Sequence, residues 1–217
     1  MEKEFTQESG DCLRIVLYGP ESTGKTTLSQ MLASHFETEW VPEFSRDYLQ
    51  EKWDQEKKIC GLDDILPIAR GQMELENSKA REANEVLFCD TNLLETVVYS
   101  RAYFDEYCEP GLLKHALNAH YDLYFLTYID VPWIEDDLRD RPHQRELMFA
   151  KFKKPLDEYN RPYHILKGNL QERFETAVKM IEELLKKKKL DFNKRDLDQI
   201  KKKGITPEKV EQQIALF

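Results

Sequence analysis

The residues Gly19-Pro20-Glu21-Ser22-Thr23-Gly24-Lys25-Thr26 have the types and spacing needed to hold a chain of phosphates. They fit G-x-x-x-x-G-K-[ST], in which a glycine-bounded loop turns backbone N–H groups toward an anion. Gly19 and Gly24 let the main chain approach phosphate oxygens. The N–H groups of Glu21, Ser22, Thr23, Gly24, Lys25, Thr26 and Thr27 are the expected cradle for the phosphates of ATP. Lys25 is expected to reach the β- and γ-phosphates, and the Thr26 hydroxyl to ligate Mg²⁺.

Other residues have chemistry that suits such a cradle. Asp90 ends an apolar run, so its carboxylate is placed to hold Mg²⁺ or its water shell beside Thr26. Its other reading is a strand-end aspartate that caps the next helix. Glu43 follows a short apolar stretch. If that stretch lies beside the first strand, Glu43 faces the γ-phosphate as a base for an acceptor hydroxyl. Arg46 shares a helical face with Glu43; it pairs with Glu43, binds substrate phosphate, or forms a surface salt bridge. Arg139, Arg141 and Arg145 lie in a charged segment suited to a lid over phosphates. The interleaved Asp136, Asp137, Asp140 and Glu146 suit a solvated helix equally well. Gln72 has an amide fit to read a base edge, or a surface position. Trp133 has a ring fit to stack on a substrate, or to pack.

These residues need a scaffold that brings them together. Leu13 to Tyr18, Thr38 to Pro42, Val86 to Cys89, Leu123 to Ile129 and Tyr163 to Leu166 read as strands. Helices are expected at Thr27 to Ala33, Phe44 to Trp53, Asp63 to Asn84, Leu93 to Tyr107, Leu112 to Ala119, Trp133 to Tyr159 and Leu170 to Lys189. The Pro110-Gly111 pair is expected to break helix, and Arg141-Pro142 to interrupt it. Strands alternating with helices mean crossover connections and a parallel sheet covered on both faces. The expected fold is α/β, a P-loop NTPase of nucleoside/nucleotide-kinase-like type with about five strands. The expected organisation is a polar, loosely ordered lead-in over 1–11, a kinase domain over 12–189 and a helical appendage over 190–217. Within the appendage, Asn193 to Lys203 reads as a short helix, and Thr206-Pro207-Glu208 as the start of another.

Composition narrows the function. Formal net charge is -9, which argues against general nucleic-acid binding, because a phosphate backbone needs a basic face. The lysine clusters at 186–189 and 201–203 read as solvated faces. No apolar run is long enough for a membrane span, and the charged N-terminus lacks a signal-peptide core. Cys12, Cys60, Cys89 and Cys108 show no metal spacing and read as reduced thiols, so a cytoplasmic protein is expected. The histidines show no paired spacing.

The stretches GPESTGKTTL (19–28), WVPEFSRDYL (40–49), GQ (71–72), VLFCDTN (86–92), PWIEDDLRD (132–140) and KPLDEYNRPY (154–163) resemble the ribosylnicotinamide kinase domain of NadR-type proteins. The resemblance spans about residues 12–185. It implies a P-loop kinase related to deoxynucleoside and thymidylate kinases. It places Glu43 near the acceptor hydroxyl and Arg46 near the phosphates. It also places Asp90 and Thr91 at the metal and substrate ribose, and Arg139 and Arg145 in the lid. Where that family often carries Asp-Gly-Leu-Arg, this chain has Asp136-Asp137-Leu138-Arg139. With about 11 residues ahead of the first strand, neither the adenylyltransfer step nor the repressor role of such proteins is expected of this chain. The expected reaction is phosphorylation of the 5′-hydroxyl of nicotinamide riboside by MgATP. The alternatives are a kinase for another nucleoside or nucleoside monophosphate, and a nucleotide-binding regulatory module with slow hydrolysis.

Overall fold

The computed structural model describes residues 5–139 and 141–202. Five parallel strands form one sheet in the order β2-β3-β1-β4-β5. They are β1 (Leu13–Tyr18), β2 (Trp40–Val41), β3 (Val86–Asp90), β4 (Leu123–Thr127) and β5 (Tyr163–Leu166). Every residue of β1, β3 and β4 is buried. That pattern follows from continuous apolar runs in strands covered by helices on both faces. The helices are α1 (Lys25–His35), α2 (Phe44–Glu56), α3 (Ile65–Glu82), α4 (Leu93–Tyr103), α5 (Pro110–Asn118), α6 (Arg145–Glu158) and α7 (Leu170–Lys202), with a 3₁₀ turn at Leu62–Asp64.

The topology fixes where a ligand can sit. After β1 the chain crosses to β2 and β3 on one side, and later to β4 and β5 on the other. A crevice therefore opens at the carboxyl ends of β1 and β3, the switch point at which open α/β sheets take ligands. Parallel register sets Leu17 opposite Asp90, so the loop after β1 and the acid ending β3 share one end of the sheet. The second strand is not beside the first: β2 pairs with β3. Glu43 therefore reaches the site from one strand further out than expected.

Several elements depart from expectation, each for a local reason. Pro110 opens α5 at its first turn, where a missing N–H costs nothing. Residues 132–139 and 141–144 do not form the expected helix, and α6 begins only at Arg145. Pro132 and Pro142 bound that stretch. Asp136 accepts from the Leu138 N–H at 3.0 Å, and the Arg139 guanidinium donates to the Ile134 carbonyl at 2.7 Å. Such local side-chain bonds compete with helix formation. Asp140 lies outside the described residues. The lead-in is tied down from Phe5 onward. Phe5 is buried, Gln7 donates to Glu76, and the Glu8 carbonyl accepts from Arg14.

The chain divides into compact units at 1–177 and 178–217. The expected break near residue 190 is absent: α7 runs unbroken from Leu170 to Lys202, with no glycine or proline before Gly204 to stop it. The expected helix start at Thr206-Pro207-Glu208 lies outside the described residues.

Beneath the amino ends of the strands, Arg14 and Glu76 form a buried pair at 2.9 Å, and Tyr121 donates to the second Glu76 oxygen at 2.6 Å. Removing one member of such a pair strands a buried charge. Glu76→Ala should therefore lower unfolding free energy by about 3–5 kcal/mol in a urea titration. A loss within error of zero would mean the pair carries no weight in the fold.

Candidate active site

An 860 Å³ cavity opens at the carboxyl ends of the strands. Its wall includes the phosphate loop from Glu21 to Thr27, together with Glu43, Arg46, Asp90, Thr91 and Arg139. Residues far apart in sequence thus line one space.

The loop is held by packing that only glycine allows at its start. Gly19 has φ +144°, and a Cβ there would lie 2.6 Å from Thr127 Oγ1. Thr127 in turn donates to the Tyr18 carbonyl and sits 2.7 Å from Thr23 Oγ1. Gly24 caps α1 in the left-handed region, φ 82°, a conformation costly for residues with a Cβ. Arg173, almost wholly buried, braces the loop. It donates to the carbonyls of Thr23, Gly168 and Tyr128 and pairs with Asp130.

Lys25 is the electrostatic centre. Its Nζ donates to the carbonyls of Gly19 at 2.7 Å and Pro20 at 3.2 Å, and lies 3.3 Å from Glu95 Oε1. Burial opposes charge on this ammonium, but Glu95, Glu43 and Asp90 outweigh it and hold its pKa above the ordinary value. Thr26 Oγ1 donates to Asp90 Oδ2 at 2.5 Å. Asp90 Oδ1 is buried and has no hydrogen-bond partner among the described residues. Burial and the Glu43 carboxylate push the Asp90 carboxyl up to about 7, against Lys25 and the Thr26 bond. Thr91 follows with φ 76°, unusual for a β-branched residue and a mark of strain held by its surroundings.

Glu43 stands at the start of α2, where Ser45 Oγ donates to its Oε1 at 2.7 Å. The Gly71-Gln72 pair on α3 fixes this turn. Gln72 Oε1 accepts from the Phe44 N–H at 2.8 Å, and Nε2 donates to the Pro42 carbonyl at 3.2 Å. A Cβ on Gly71 would lie 2.3 Å from the Phe44 ring, so glycine makes room for that ring. Gln72 is therefore not a surface residue: it is buried and lines the cavity. Its amide grips the main chain on both sides of Glu43.

The segment after β4 spans the cavity mouth. Ser22 Oγ accepts from the Ile134 N–H at 2.8 Å. Arg46 donates to Asp136 at 2.7 Å, and Arg139 pairs with the same carboxylate at 3.0 Å. The Asp136 bond raises the pKa of Arg46. Arg141 lies 3.9 Å from the centre of the Tyr103 ring. Arg145 donates to the carbonyls of Val131 and Ser22. Arg145 and Trp133 are not in the cavity wall, contrary to expectation. Trp133 instead packs on Arg145, its ring centre 5.9 Å from the guanidinium carbon. Of the aromatic residues near the site, Trp40, Tyr99 and Tyr103 line the cavity, while Tyr48 donates to Asp64.

Sequence reasoning missed Glu95, Thr127 and Arg173. The legible signal was an acid in an otherwise apolar helix start, Leu93-Leu94-Glu95. The α4 cap is Asn92, whose side chain accepts from the Glu95 N–H at 3.2 Å.

A strand, a glycine-bounded loop and a helix closing on a buried lysine, with an acid at the neighbouring strand end, define a P-loop nucleotide-binding protein of the nucleoside- and nucleotide-kinase fold. The chain belongs to the family described as AAA domain, whose model matches residues 14–173. The resemblance to NadR-type proteins is borne out. The chain is 26% identical over 178 residues to the "Trifunctional NAD biosynthesis/regulator protein NadR" of Salmonella typhimurium. That match covers 79% of this chain but 42% of the relative. A solved structure of NadR protein in complex with NR superposes with TM-score 0.70 and 24% identity, covering 80% of this chain and 51% of that one. A thymidylate kinase from Ehrlichia chaffeensis superposes with TM-score 0.56 and 14% identity, over 80% of this chain and 100% of that one. Among the described residues no helix is long and apolar enough to cross a membrane.

The buried acids make stability pH-dependent. Burial pushes the Glu95 carboxyl up to about 8, against the pull of Lys25, from an ordinary 4.5. Between about pH 5 and 8 the folded protein keeps a proton that the unfolded chain releases, so this contribution to stability falls as pH rises. Glu95→Gln should therefore show a flatter dependence of Tm on pH over that window. Equal slopes in both proteins would contradict the assignment.

Proposed function

We propose that this protein is an ATP-dependent kinase that phosphorylates the 5′-hydroxyl of nicotinamide riboside. The observation that carries the reading is the joining of Lys25, Asp90 and Glu43 in one cavity whose wall also carries Trp40, Tyr99 and Tyr103. A regulatory module needs the phosphate loop, but not a carboxylate whose turn is braced by Gln72 and Gly71 beside a space for a second molecule.

In this reading the loop N–H groups and Lys25 bind the β- and γ-phosphates and favour the charge of the transferring group. The acceptor hydroxyl attacks the γ-phosphorus. Its O–P bond forms as the bond to the β–γ bridging oxygen breaks, and ADP leaves. Glu43 accepts the hydroxyl proton. Arg46 and Arg139 would turn toward phosphate oxygens from Asp136. Magnesium fits the oxygen pair of Thr26 and Asp90, whose Oδ1 has no hydrogen-bond partner among the described residues. When bound, it would neutralise charge on the β- and γ-oxygens. Thr91 would meet the acceptor ribose.

The acceptor ring carries a positive charge. Trp40, Tyr99 and Tyr103 offer faces for it, worth about 0.5–2 kcal/mol for a cation over a ring. The NadR protein with bound NR supports this choice by likeness of fold. The test compares kcat/KM for nicotinamide riboside with its reduced, neutral-ring form and with uridine, cytidine, thymidine and thymidine monophosphate. Nicotinamide riboside should lead, and the neutral-ring form should fall about ten-fold behind. A neutral nucleoside leading by ten-fold would move the acceptor assignment elsewhere within the kinases. No ADP release above the background with water, for any acceptor, would favour the regulatory module.

A further inference from the structure

Glu95 takes no part in the transfer reaction as described above, yet it is 2% exposed and meets the ammonium on which the site depends. It lies in the first turn of α4, where the helix N-terminus favours negative charge. Its Oε1 lies 3.3 Å from Lys25 Nζ, and Oε2 has no hydrogen-bond partner among the described residues. Lys25 is thus folded back onto Glu95 and the loop carbonyls of Gly19 and Pro20. Those groups occupy the ammonium in a lysine that also lines the cavity.

We propose that Glu95 is a positioning residue that holds Lys25 back from the phosphates and competes with the nucleotide for its ammonium. The groups that face Glu95 are Lys25 at the start of α1, Glu43 before α2, Asp90 at the end of β3, Tyr18 on β1 and Tyr99 one turn further along α4. Among these, Lys25 is the cation. Nucleotide binding has to draw Lys25 toward the phosphates and bring their negative charge close to the Glu95 carboxylate. Both changes oppose binding, because charges interact strongly in a buried site. The ionised Glu95 carboxylate therefore weakens nucleotide affinity and favours release of ADP after transfer. Its effect is a coupling between two ligands of one lysine, a carboxylate and a phosphate chain.

The inference rests on the phosphate-binding reading of the site and not on which acceptor is used. The experiment titrates MgADP into wild type, Glu95→Gln and Glu95→Met by calorimetry at pH 9, above the Glu95 titration. A melting curve on each variant establishes that it is folded. Both variants should bind MgADP about ten-fold tighter than wild type. KM for ATP should fall in step, while KM for the acceptor stays unchanged. In a Lys25→Met background, Glu95→Gln should bring a smaller gain, since only the direct repulsion between carboxylate and phosphate remains. Unchanged or weaker MgADP binding in the variants, with wild type binding normally, would overturn the role of Glu95 alone. No MgADP binding by wild type would overturn the phosphate-binding reading itself.

Discussion

A buried ammonium has to be balanced, and Lys25 is one. Three acidic side chains, Glu95, Glu43 and Asp90, face it and favour its charge, and each arrives from a different element. Glu95 comes from the first turn of α4, Asp90 from the end of β3, and Glu43 from the turn between β2 and α2. The fold can be understood as the apparatus that brings these charges within reach of one lysine. The sheet order puts β1 beside β3, so the loop and Asp90 meet without any long connection. The Gly71-Gln72 pair then fixes the turn that carries Glu43. The site is therefore preorganised largely by main-chain contacts, which cost little entropy to hold once the sheet has formed.

The cavity mouth is arranged on a second charge, Asp136. It gathers Arg46 from α2 and Arg139 from its own segment, while Ser22 anchors the same segment to the phosphate loop. In the proposed reaction these two arginines are the cations at the mouth that turn to phosphate. Their carboxylate partner is part-exposed, so the pairs are screened by solvent and can exchange at small cost. That suits a segment whose cations must change partners from carboxylate to phosphate.

Much of this was legible in the sequence because the signals are local. The phosphate loop is one contiguous run, and a wholly apolar stretch such as Leu13–Tyr18 reads directly as a covered strand. Asp90 was legible because an acid ends such a stretch. Glu95, Arg173 and Thr127 were not, because their meaning lies in partners 70, 150 and 104 positions away. The bracing role of Gln72 was not legible for the same reason: its partners are the backbone atoms of Pro42 and Phe44, which carry no sequence signature. The stretch 132–144 misled in the opposite way. Its charge pattern suits a helix, but Asp136 and Arg139 bond to nearby main chain and prolines bound the segment. The break expected near residue 190 failed because a polar, lysine-rich run continues a helix as readily as it ends one.

The account turns on Glu43 acting at the transferring group rather than merely shaping the turn. The most direct measurement is the single-turnover rate of phosphoryl transfer from MgATP to nicotinamide riboside in wild type and Glu43→Gln, with MgATP affinity measured in parallel. Loss of a general base should slow the chemical step by about a hundred-fold or more, with nucleotide affinity unchanged. An unchanged single-turnover rate, or a loss explained wholly by weaker MgATP binding, would contradict the account.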